Sequence, residues 1–324
     1  MHARTPLAAT AVLAGVGAHL PPNVVTNEDL SSTLDTSDDW ITSRTGISTR
    51  HTADPGTATS DLAVRAGAAA LTSAGRNHDI DAVVVATSTP DRRCPATAPV
   101  VASALGLGGV PAFDIDAVCS GFVYGLAVSE GLIASGAARS VLLIGADTFS
   151  TVVDPTDRAT APLFGDGAGA VVLRAGDPAE PGALHAVELG SDGALADLIT
   201  VRAGEYLSLQ GQAVYRHAVT RMSDAARTAL KKAAWSIDDV DRFVAHQANL
   251  RILRAVGTEL GIDPGRVYAN VSSVGNTVAA SIPLALAHAH EAGELRAGDR
   301  VLLSAFGGGV TWGAAALTWP DLTN

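Results

Sequence analysis

The segment "SVLLIGA", residues Ser140–Ala146, has a counterpart 160 residues further along the chain, "RVLLSAF" at Arg300–Phe306. A second pair shares that offset: "IDAVVVATS" at Ile80–Ser88 and "VDRFVAHQA" at Val240–Ala248. Each member is rich in branched apolar residues and follows a stretch with helical spacing, a pattern typical of buried strands in a helix-covered sheet. Two matches at one offset, in the same context, indicate an internal duplication.

The duplication predicts two halves, residues 1–174 and 175–324, joined near "LRAGDPAEPGA" at Leu173–Ala183, where Pro, Gly and charged residues break the pattern. The first half contains both cysteines, Cys94 and Cys119, and the second half contains His246, Asn276 and a Gly-rich loop. Strands that alternate with helices favour parallel sheets with helices on their faces. The sequence therefore predicts a layered α/β molecule.

Composition narrows the class of protein. The 324 residues are 47% hydrophobic, 17% charged and only 4% aromatic, so a large core of small and aliphatic side chains is expected. The net charge of −11 opposes binding to a nucleic-acid backbone. Two cysteines in a chain of this length fit a reducing, cytoplasmic setting better than a disulfide framework.

The N-terminal stretch "MHARTPLAATAVLAGVGAHLPP" has one feature of a secretion signal, an apolar run that begins at Leu7 after Arg4. Ala and Gly dilute that run, and the alternation in "AVLAGVGAHLP" favours a buried first strand instead. No stretch of the sequence is long and apolar enough to predict a membrane span.

A cysteine stands at a predicted strand-to-helix junction, in "DAVCSGF" at Asp116–Phe122. The positive end of a helix can stabilise a thiolate and lower the pKa of a cysteine, which would make Cys119 a nucleophile. Cysteine is also a common small core residue. Position alone leaves both interpretations open.

Two further polar residues lie at similar junctions, His246 after "RFVA" and Asn276 in "SVGNTVAAS". Taken singly, the first is typical of a structural histidine and the second of a helix N-cap. Together with Cys119 they form a nucleophile, an acid/base or hydrogen-bond donor, and an amide donor at strand ends, where α/β sheets bind ligands. The glycines of "AFGGGVTWG" could expose backbone N–H groups to an oxyanion.

Six segments resemble, in order and spacing, the β-ketoacyl-ACP synthase III family of thiolase-like condensing enzymes. They extend over nearly the whole chain: "DDWITSRTGISTRH", "AVCSGF", "FGDGAGA", "HQANLRI", "GNTVAASIP" and "AFGGGVTWG". Asn276 stands where the elongating ketosynthases have a second His, and the glycine loop lacks the second Cys of a degradative thiolase. The resemblance implies a five-layered αβαβα thiolase fold, built from two pseudo-duplicated halves and usually homodimeric.

The resemblance also implies a two-step reaction without a cofactor or metal. Cys119 would take an acyl group from acyl-CoA as a thioester. Malonyl-ACP would then lose CO₂, while His246 and Asn276 donate hydrogen bonds to its thioester carbonyl and stabilise the attacking enolate. The N–H groups of Cys119 and Gly308 would form the oxyanion hole.

The family pattern assigns further residues to coenzyme A. The adenine would lie against Trp40 and Arg44, with Thr45 nearby. Arg158 and Arg251 match contacts with the phosphates and nucleotide, and Asn249 a contact with pantetheine. Arg beside an aromatic ring is a physically sensible adenine site.

The chain departs from the family pattern at three places. Cys94 replaces a Phe that many members place at the dimer contact that floors the acyl pocket, so a larger acyl group is expected. The loop "LITVRAGEYLSLQG" is shorter than usual. Thr258 and Glu259 replace a Lys pair that helps to dock the acidic carrier protein, which makes use of that carrier less secure.

Two enzyme hypotheses follow, together with one outside catalysis. The first is a decarboxylating condensing enzyme that starts fatty-acid or polyketide synthesis. The second is an acyltransferase that moves the acyl group from Cys119 to a small-molecule acceptor without decarboxylation. Asn276 favours the first, because simple transfer needs no enolate stabilisation. The third, a binding or redox-sensing thiol protein, leaves the Cys, His and Asn together unexplained.

Overall fold

The structure is a computed structural model that describes residues 9–75 and 79–322. Its strands are β1 (Thr10–His19), β2 (Asn23–Thr26), β3 (Thr49–Thr52), β4 (Ala82–Ala86), β5 (Ala112–Ile115), β6 (Ser140–Asp147), β7 (Gly167–Gly176), β8 (Leu184–Ser191), β9 (Ile199–Thr200), β10 (Ser208–Leu209), β11 (Arg242–Ala245), β12 (Arg300–Gly307) and β13 (Thr311–Thr318). Its α-helices are α1 (Asn27–Ser31), α2 (Asp38–Thr45), α3 (Thr59–Ala74), α4 (Ala98–Ala104), α5 (Gly121–Ala134), α6 (Gly211–Ala233), α7 (Leu250–Leu260), α8 (Val271–Val274) and α9 (Ser281–Glu291). Short 3₁₀ turns cover Val118–Ser120, Phe149–Val152, Gly193–Leu198, Ile237–Asp239, Pro264–Arg266 and Val278–Ala280.

Two main sheets correspond to the two halves of the duplication. The first has the strand order β1-β7-β6-β4-β5, and the second β11-β12-β13-β8. The strands at the centre of the predicted repeat are parallel, β4 with β5 and β6, and β11 with β12. The last strand of the first sheet, β7, runs to Gly176, two residues past the predicted division at residue 174.

Both sheets also contain antiparallel strands that the expectation of parallel sheets did not include. Strand β7 pairs antiparallel with β1 and β6, and β13 pairs antiparallel with β12 and β8. A parallel partner requires a crossover connection of a dozen or more residues. Only three residues separate β12 from β13, so this pair is antiparallel by necessity.

The molecule has the five layers predicted from the family resemblance. Helices α3 and α4 cover the outer face of the first sheet, and α6 and α7 cover the outer face of the second. Helices α5 and α9 lie between the sheets, in a core cluster to which both halves contribute. Among the described residues, no helix combines the length and the apolar character needed to cross a membrane.

Small residues allow the layers to approach closely, as the low aromatic content suggested. A methyl group at Gly15 or Gly17 of β1 would overlap the α3 backbone near Ala66 and Ala70. The helix therefore rests directly on the strand. Most of the buried core is Ala, Val, Leu and Ile.

The duplication is most exact at two tight turns, which we call the first elbow (Val118–Ser120) and the second elbow (Val278–Ala280). They are 160 residues apart, contact each other and lead into α5 and α9. Each begins with a valine at positive φ, 48° in the first and 52° in the second. A β-branched residue in that region is strained by about 1–3 kcal/mol, so the surrounding structure must impose both turns.

Candidate active site

A cavity of about 760 Å³ is lined by residues from both halves. It brings Cys119, His246 and Asn276 together, although they are far apart in the sequence. Residues predicted to bind coenzyme A also line it: Trp40, Arg44, Thr45, Asn249 and Arg251. Arg158, Gly308 and Cys94 are outside the lining.

Cys119 lies in the first elbow, half-buried, beside an apolar cluster formed by Phe149, Phe164, Leu207 and Val278. Burial raises the pKa of the Cys119 thiol, the nearby Asp147 carboxylate raises it further, and the residue's own backbone N–H acts in the opposite direction. The net direction is thus opposite to the lowering that a helix start alone would give. Removal of the thiolate from water is the largest cause.

Asp147, at the end of β6, is a buried carboxylate that the sequence analysis did not single out. Its Oδ1 accepts hydrogen bonds from the backbone N–H of Ser88 at 2.8 Å and Thr89 at 3.2 Å, and from the hydroxyls of Thr87 and Thr89. Its Oδ2 accepts one from the N–H of Ala279 in the second elbow at 3.0 Å. Burial raises the pKa of Asp147 to about 7 against these hydrogen bonds. The sequence feature that could have identified it is an acidic residue directly after the repeated apolar segment Ser140–Ala146.

Gly307 occupies the position that corresponds to Asp147 in the second half, 160 residues on. A methyl group there would lie 2.8 Å from the backbone nitrogen of Cys119 and 3.0 Å from that of Ser120. The two elbows thus differ at the backbone N–H of their middle residue. The N–H of Ala279 donates a hydrogen bond to Asp147, whereas Gly307 has no side chain that could cover the N–H of Cys119.

Gly308 lies next to the first elbow, where a methyl group would be 3.4 Å from Val118 Cγ2. Thr311 holds this loop in place, with its hydroxyl 3.0 Å from the carbonyl oxygen of Gly308 and 3.1 Å from that of Ala117. The same hydroxyl lies 2.7 Å from Ser120 Oγ. Sequence reasoning missed Thr311, because nothing local shows that it joins two halves.

His246 follows β11 and is 2% exposed. Its Nδ1 lies 2.6 Å from Ser281 Oγ, and its Nε2 has no hydrogen-bond partner among the described residues. Burial lowers the pKa of His246 to about 3, so the imidazole is neutral at neutral pH. It can therefore act as a neutral donor or acceptor.

Asn276 lies just before the second elbow, and its Oδ1 accepts a hydrogen bond from the N–H of Val278 at 3.0 Å. This contact fixes which side-chain atom of Asn276 is the oxygen, because a backbone N–H can only donate to it. The NH₂ group is then the part available to the cavity. The backbone is joined to the neighbouring loop, because Asn276 N donates to Leu163 O at 2.9 Å and Gly165 N to Asn276 O at 3.0 Å. Asn276 is therefore held as a hydrogen-bond donor.

The part of the cavity next to α2 is basic and aromatic. The guanidinium carbon of Arg44 lies 4.5 Å from the Trp40 ring centroid, and that of Arg158 lies 4.8 Å from it. Arg158 also pairs with Asp35 at 3.3 Å. The cavity lining includes Arg216 and Arg251 as well, and no acidic side chain among the described residues that form it. The site is suited to an anionic ligand despite the acidic chain.

Two of the predicted coenzyme A contacts have structural partners of their own. Asn249 is the N-cap of α7 and accepts a hydrogen bond from Ile252 N at 3.0 Å. The Thr45 hydroxyl donates to Ile41 O at 2.7 Å and accepts from Ile47 N at 3.0 Å. Asn249 thus uses its side-chain oxygen and has no hydrogen bond from its NH₂ group to any residue that the structure describes, whereas the Thr45 hydroxyl is already engaged.

Cys94 is exposed on a single chain and does not reach the cavity. Its predicted place at a dimer contact would put it in the pocket of a second chain, so that role stays a prediction. Within residues 9–75 and 79–322, no group of three or more His, Cys, Asp or Glu side chains is arranged to hold a metal ion.

Family models match both halves of the chain. Residues 113–193 match 3-oxoacyl-[acyl-carrier-protein (ACP)] synthase III, and residues 230–319 match the C-terminal part of the same family. The chain is 58% identical to beta-ketoacyl-[acyl-carrier-protein] synthase III 3 of Streptomyces coelicolor, over 95% of this chain and 97% of that protein.

Solved structures give the same result. A crystal structure of 3-oxoacyl-(acyl carrier protein) synthase III from Pseudomonas aeruginosa is 53% identical, with a TM-score of 0.95 over 97% of this chain and all of that one. The priming β-ketosynthase of a polyketide biosynthetic pathway is 33% identical, with a TM-score of 0.93 over the whole of both chains.

Proposed function

The chain belongs to the β-ketoacyl-[acyl-carrier-protein] synthase III family, and from this premise we propose how its residues carry out the reaction. It is a condensing acyltransferase of fatty-acid biosynthesis, which joins an acyl-CoA primer to malonyl-ACP and releases CO₂ and CoA. The product is a 3-oxoacyl-ACP. The residue roles below are the proposal.

In the first step, the small thiolate fraction of Cys119 attacks the acyl-CoA carbonyl and the bond to the CoA sulfur breaks. The proton lost when the thiol ionises ends on the departing CoA thiolate. Negative charge develops on the carbonyl oxygen. The N–H of Cys119, left uncovered by Gly307, and the N–H of Gly308 would bind that oxygen. A donor of this kind typically contributes about 3–4 kcal/mol to the transition state.

In the second step, the malonyl group loses CO₂ and becomes a thioester enolate. His246 Nε2 and Asn276 NH₂ would donate hydrogen bonds to its oxygen. The enolate carbon then attacks the acyl-Cys119 carbonyl, the carbon–sulfur bond breaks, and the Cys119 thiolate takes up one proton from solvent. Both donors are neutral, so they stabilise the developing anion without becoming charged.

The observation that carries this proposal is the fixed orientation of Asn276. Its oxygen is engaged by Val278, so its NH₂ group is the part offered to the cavity. Acyl transfer to a small-molecule acceptor without decarboxylation forms no enolate and has no use for this donor. The geometry therefore favours condensation over the second hypothesis.

The test separates the two steps. Intact-mass measurement after exposure to acyl-CoA should show one acyl group on the wild type and none on Cys119→Ser. Release of CO₂ from malonyl-ACP should require both the acylated enzyme and Asn276. Labelling that persists at Cys94 in Cys119→Ser would refute the assignment of the nucleophile.

Coenzyme A would enter beside Trp40. Arg158 and Arg44 both rest directly on that ring, so an adenine would bind by displacing one guanidinium and stacking between it and the indole. The nearby Arg216 and Arg251 offer positive charge to the phosphates. Malonyl-ACP would share the same entrance.

We propose a homodimer in the cytoplasm. Strand β5 lies at the edge of the first sheet, and an edge strand offers unpaired backbone groups to a second chain. Such a dimer would carry the exposed Cys94 towards the partner's pocket. A role in starting polyketide synthesis remains a proposal, which the likeness to the priming β-ketosynthase supports.

A further inference from the structure

Ser281 is the first residue of α9 and is 1% exposed. Its Oγ lies 2.6 Å from His246 Nδ1 and accepts a hydrogen bond from the backbone N–H of Gln247 at 3.3 Å. The quoted segments "SVGNTVAAS" and "GNTVAASIP" both contain this residue, but the sequence analysis gave it no role. It connects α9 to the catalytic histidine at Nδ1, the ring nitrogen opposite Nε2.

The protons at this contact can be assigned by counting donors and acceptors. A backbone N–H can only donate, so Ser281 Oγ is the acceptor towards Gln247. The hydroxyl has a single proton, and His246 Nδ1 is the one acceptor that the described residues place within its reach. A buried hydroxyl proton without an acceptor is costly, so this proton points to Nδ1.

We propose that Ser281 is a positioning residue that holds His246 in the tautomer with its proton on Nε2. An Nδ1 that accepts the Ser281 hydroxyl proton cannot carry one itself, and a neutral imidazole then has its proton on Nε2. Within the part of the chain that the structure describes, that nitrogen has no hydrogen-bond partner. The contact behind the ring thus makes His246 a hydrogen-bond donor towards the substrate oxygen.

This tautomer assigns one role to His246 and excludes another. A histidine protonated at Nε2 donates a hydrogen bond to the thioester oxygen but cannot accept the Cys119 proton at that nitrogen. The first step then relies on the departing CoA sulfur as the proton acceptor. The inference rests on the proposed roles of His246 and Cys119, but the tautomer itself can be measured without any reaction.

The direct test is the tautomer in the resting wild-type enzyme. Long-range ¹H–¹⁵N correlation spectra of ¹⁵N-histidine-labelled protein distinguish the two neutral forms, and comparison with His246→Ala identifies the resonance. We expect protonated Nε2 and unprotonated Nδ1 at pH 7. A proton on Nδ1 would overturn the role of Ser281 and with it the donor role of His246 Nε2, while the proposed roles of Cys119 and Asn276 in condensation would stand.

The functional test is Ser281→Ala, with Ser140→Ala as its control. Ser140 is likewise buried and its hydroxyl donates to a carbonyl, Leu173 O, but it lies at the start of β6, away from the cavity. Ser281→Ala should lower kcat for malonyl-ACP decarboxylation about ten-fold, as expected for one lost buried hydrogen bond. Its KM and its rate of self-acylation should stay within two-fold of the wild type.

Ser140→Ala should match Ser281→Ala in its loss of thermal stability but leave both half-reactions unchanged. Equal effects of the two variants on decarboxylation would show that Ser281 contributes only stability. Decarboxylation at the wild-type rate in His246→Ala would instead refute the proposed function, whichever tautomer the spectra show.

Discussion

Cys119 combines a half-buried position on the cavity wall with an environment that opposes ionisation of its thiol. Burial and the Asp147 carboxylate hold the pKa of the thiol above its ordinary value. Only a small fraction is thiolate at neutral pH, and that fraction increases ten-fold per pH unit. The rate of self-acylation at subsaturating acyl-CoA should therefore rise steadily from pH 6 to pH 9. A plateau below pH 8, measured by quenched-flow intact mass, would show a thiol with a lowered pKa.

His246 and Asn276 are assigned to the second half-reaction alone. We expect His246→Ala and Asn276→Ala to accept an acyl group at near the wild-type rate. Their decarboxylation of malonyl-ACP should fall by about 10²–10³, the usual loss for one donor to an oxyanion. Loss of acylation in either variant, with the fold intact, would place that residue in the first step.

His246 also makes stability depend on pH. Its pKa is about 3 in the folded protein and 6.5 when exposed, so the unfolded chain binds a proton that the folded chain refuses. The stability that depends on neutral His246 is present above pH 6.5 and is lost as the pH falls. Between pH 7.5 and pH 5, the wild type should lose about 2 kcal/mol more free energy of unfolding than His246→Gln. Equal losses in urea titrations would exclude a depressed pKa.

At the scale of elements, the first elbow requires a residue without a side chain at Gly307 of β12. Gly307→Ala would force a methyl group against the backbone nitrogens of Cys119 and Ser120, neither of which can move freely. We expect acylation to fall at least 10²-fold as the oxyanion hole closes.

Gly131→Ala is the matched control, because a methyl group there, on α5, meets nothing within 4 Å. Alanine is also the better helix former, so this variant should be active and slightly more stable. If the Gly307→Ala enzyme acylates normally, the space beside Cys119 N is not needed.

Sequence patterns predicted the elements that repeat and missed the contacts that join them. The 160-residue offset located β4, β6, β11 and β12, because buried strands keep a local apolar signature. The antiparallel pairing of β7 with β1, and that of β13 with β8, depends on residues distant in sequence. So does the contact of Thr311 with the first elbow. Neighbouring residues do not encode such contacts.

The candidate site shows the same division. Junction positions and motif resemblance located Cys119, His246 and Asn276. The raised pKa of Cys119 depends on burial, and Asp147 reaches the second elbow only because the two halves lie against each other. The Ser281 contact joins two residues of the second half that are 35 positions apart. These features appear only when the chain is placed in space.

At the scale of the whole molecule, the acyl pocket is proposed to be completed by Cys94 of a second chain. A small side chain in place of Phe leaves room for a few methylenes, each worth about 0.8 kcal/mol on burial. The wild type should therefore use butyryl-, isobutyryl- and hexanoyl-CoA with kcat/KM at least equal to that for acetyl-CoA. Cys94→Phe should lose the longer substrates and keep acetyl-CoA. A wild-type preference for acetyl-CoA that Cys94→Phe leaves unchanged would remove Cys94 from the pocket.

The two elbows set a limit on stoichiometry. A duplicated frame offers two equivalent turns for a nucleophile, but the second has Ala279 where the first has Cys119, and Asp147 fills its amide. If Cys119 carries the acyl group, as proposed, each chain can hold one acyl group at its elbows. The second elbow instead supports Asn276, whose Oδ1 accepts a hydrogen bond from Val278 N there. The proposed acyl carrier and the proposed donor to the enolate therefore belong to the same chain.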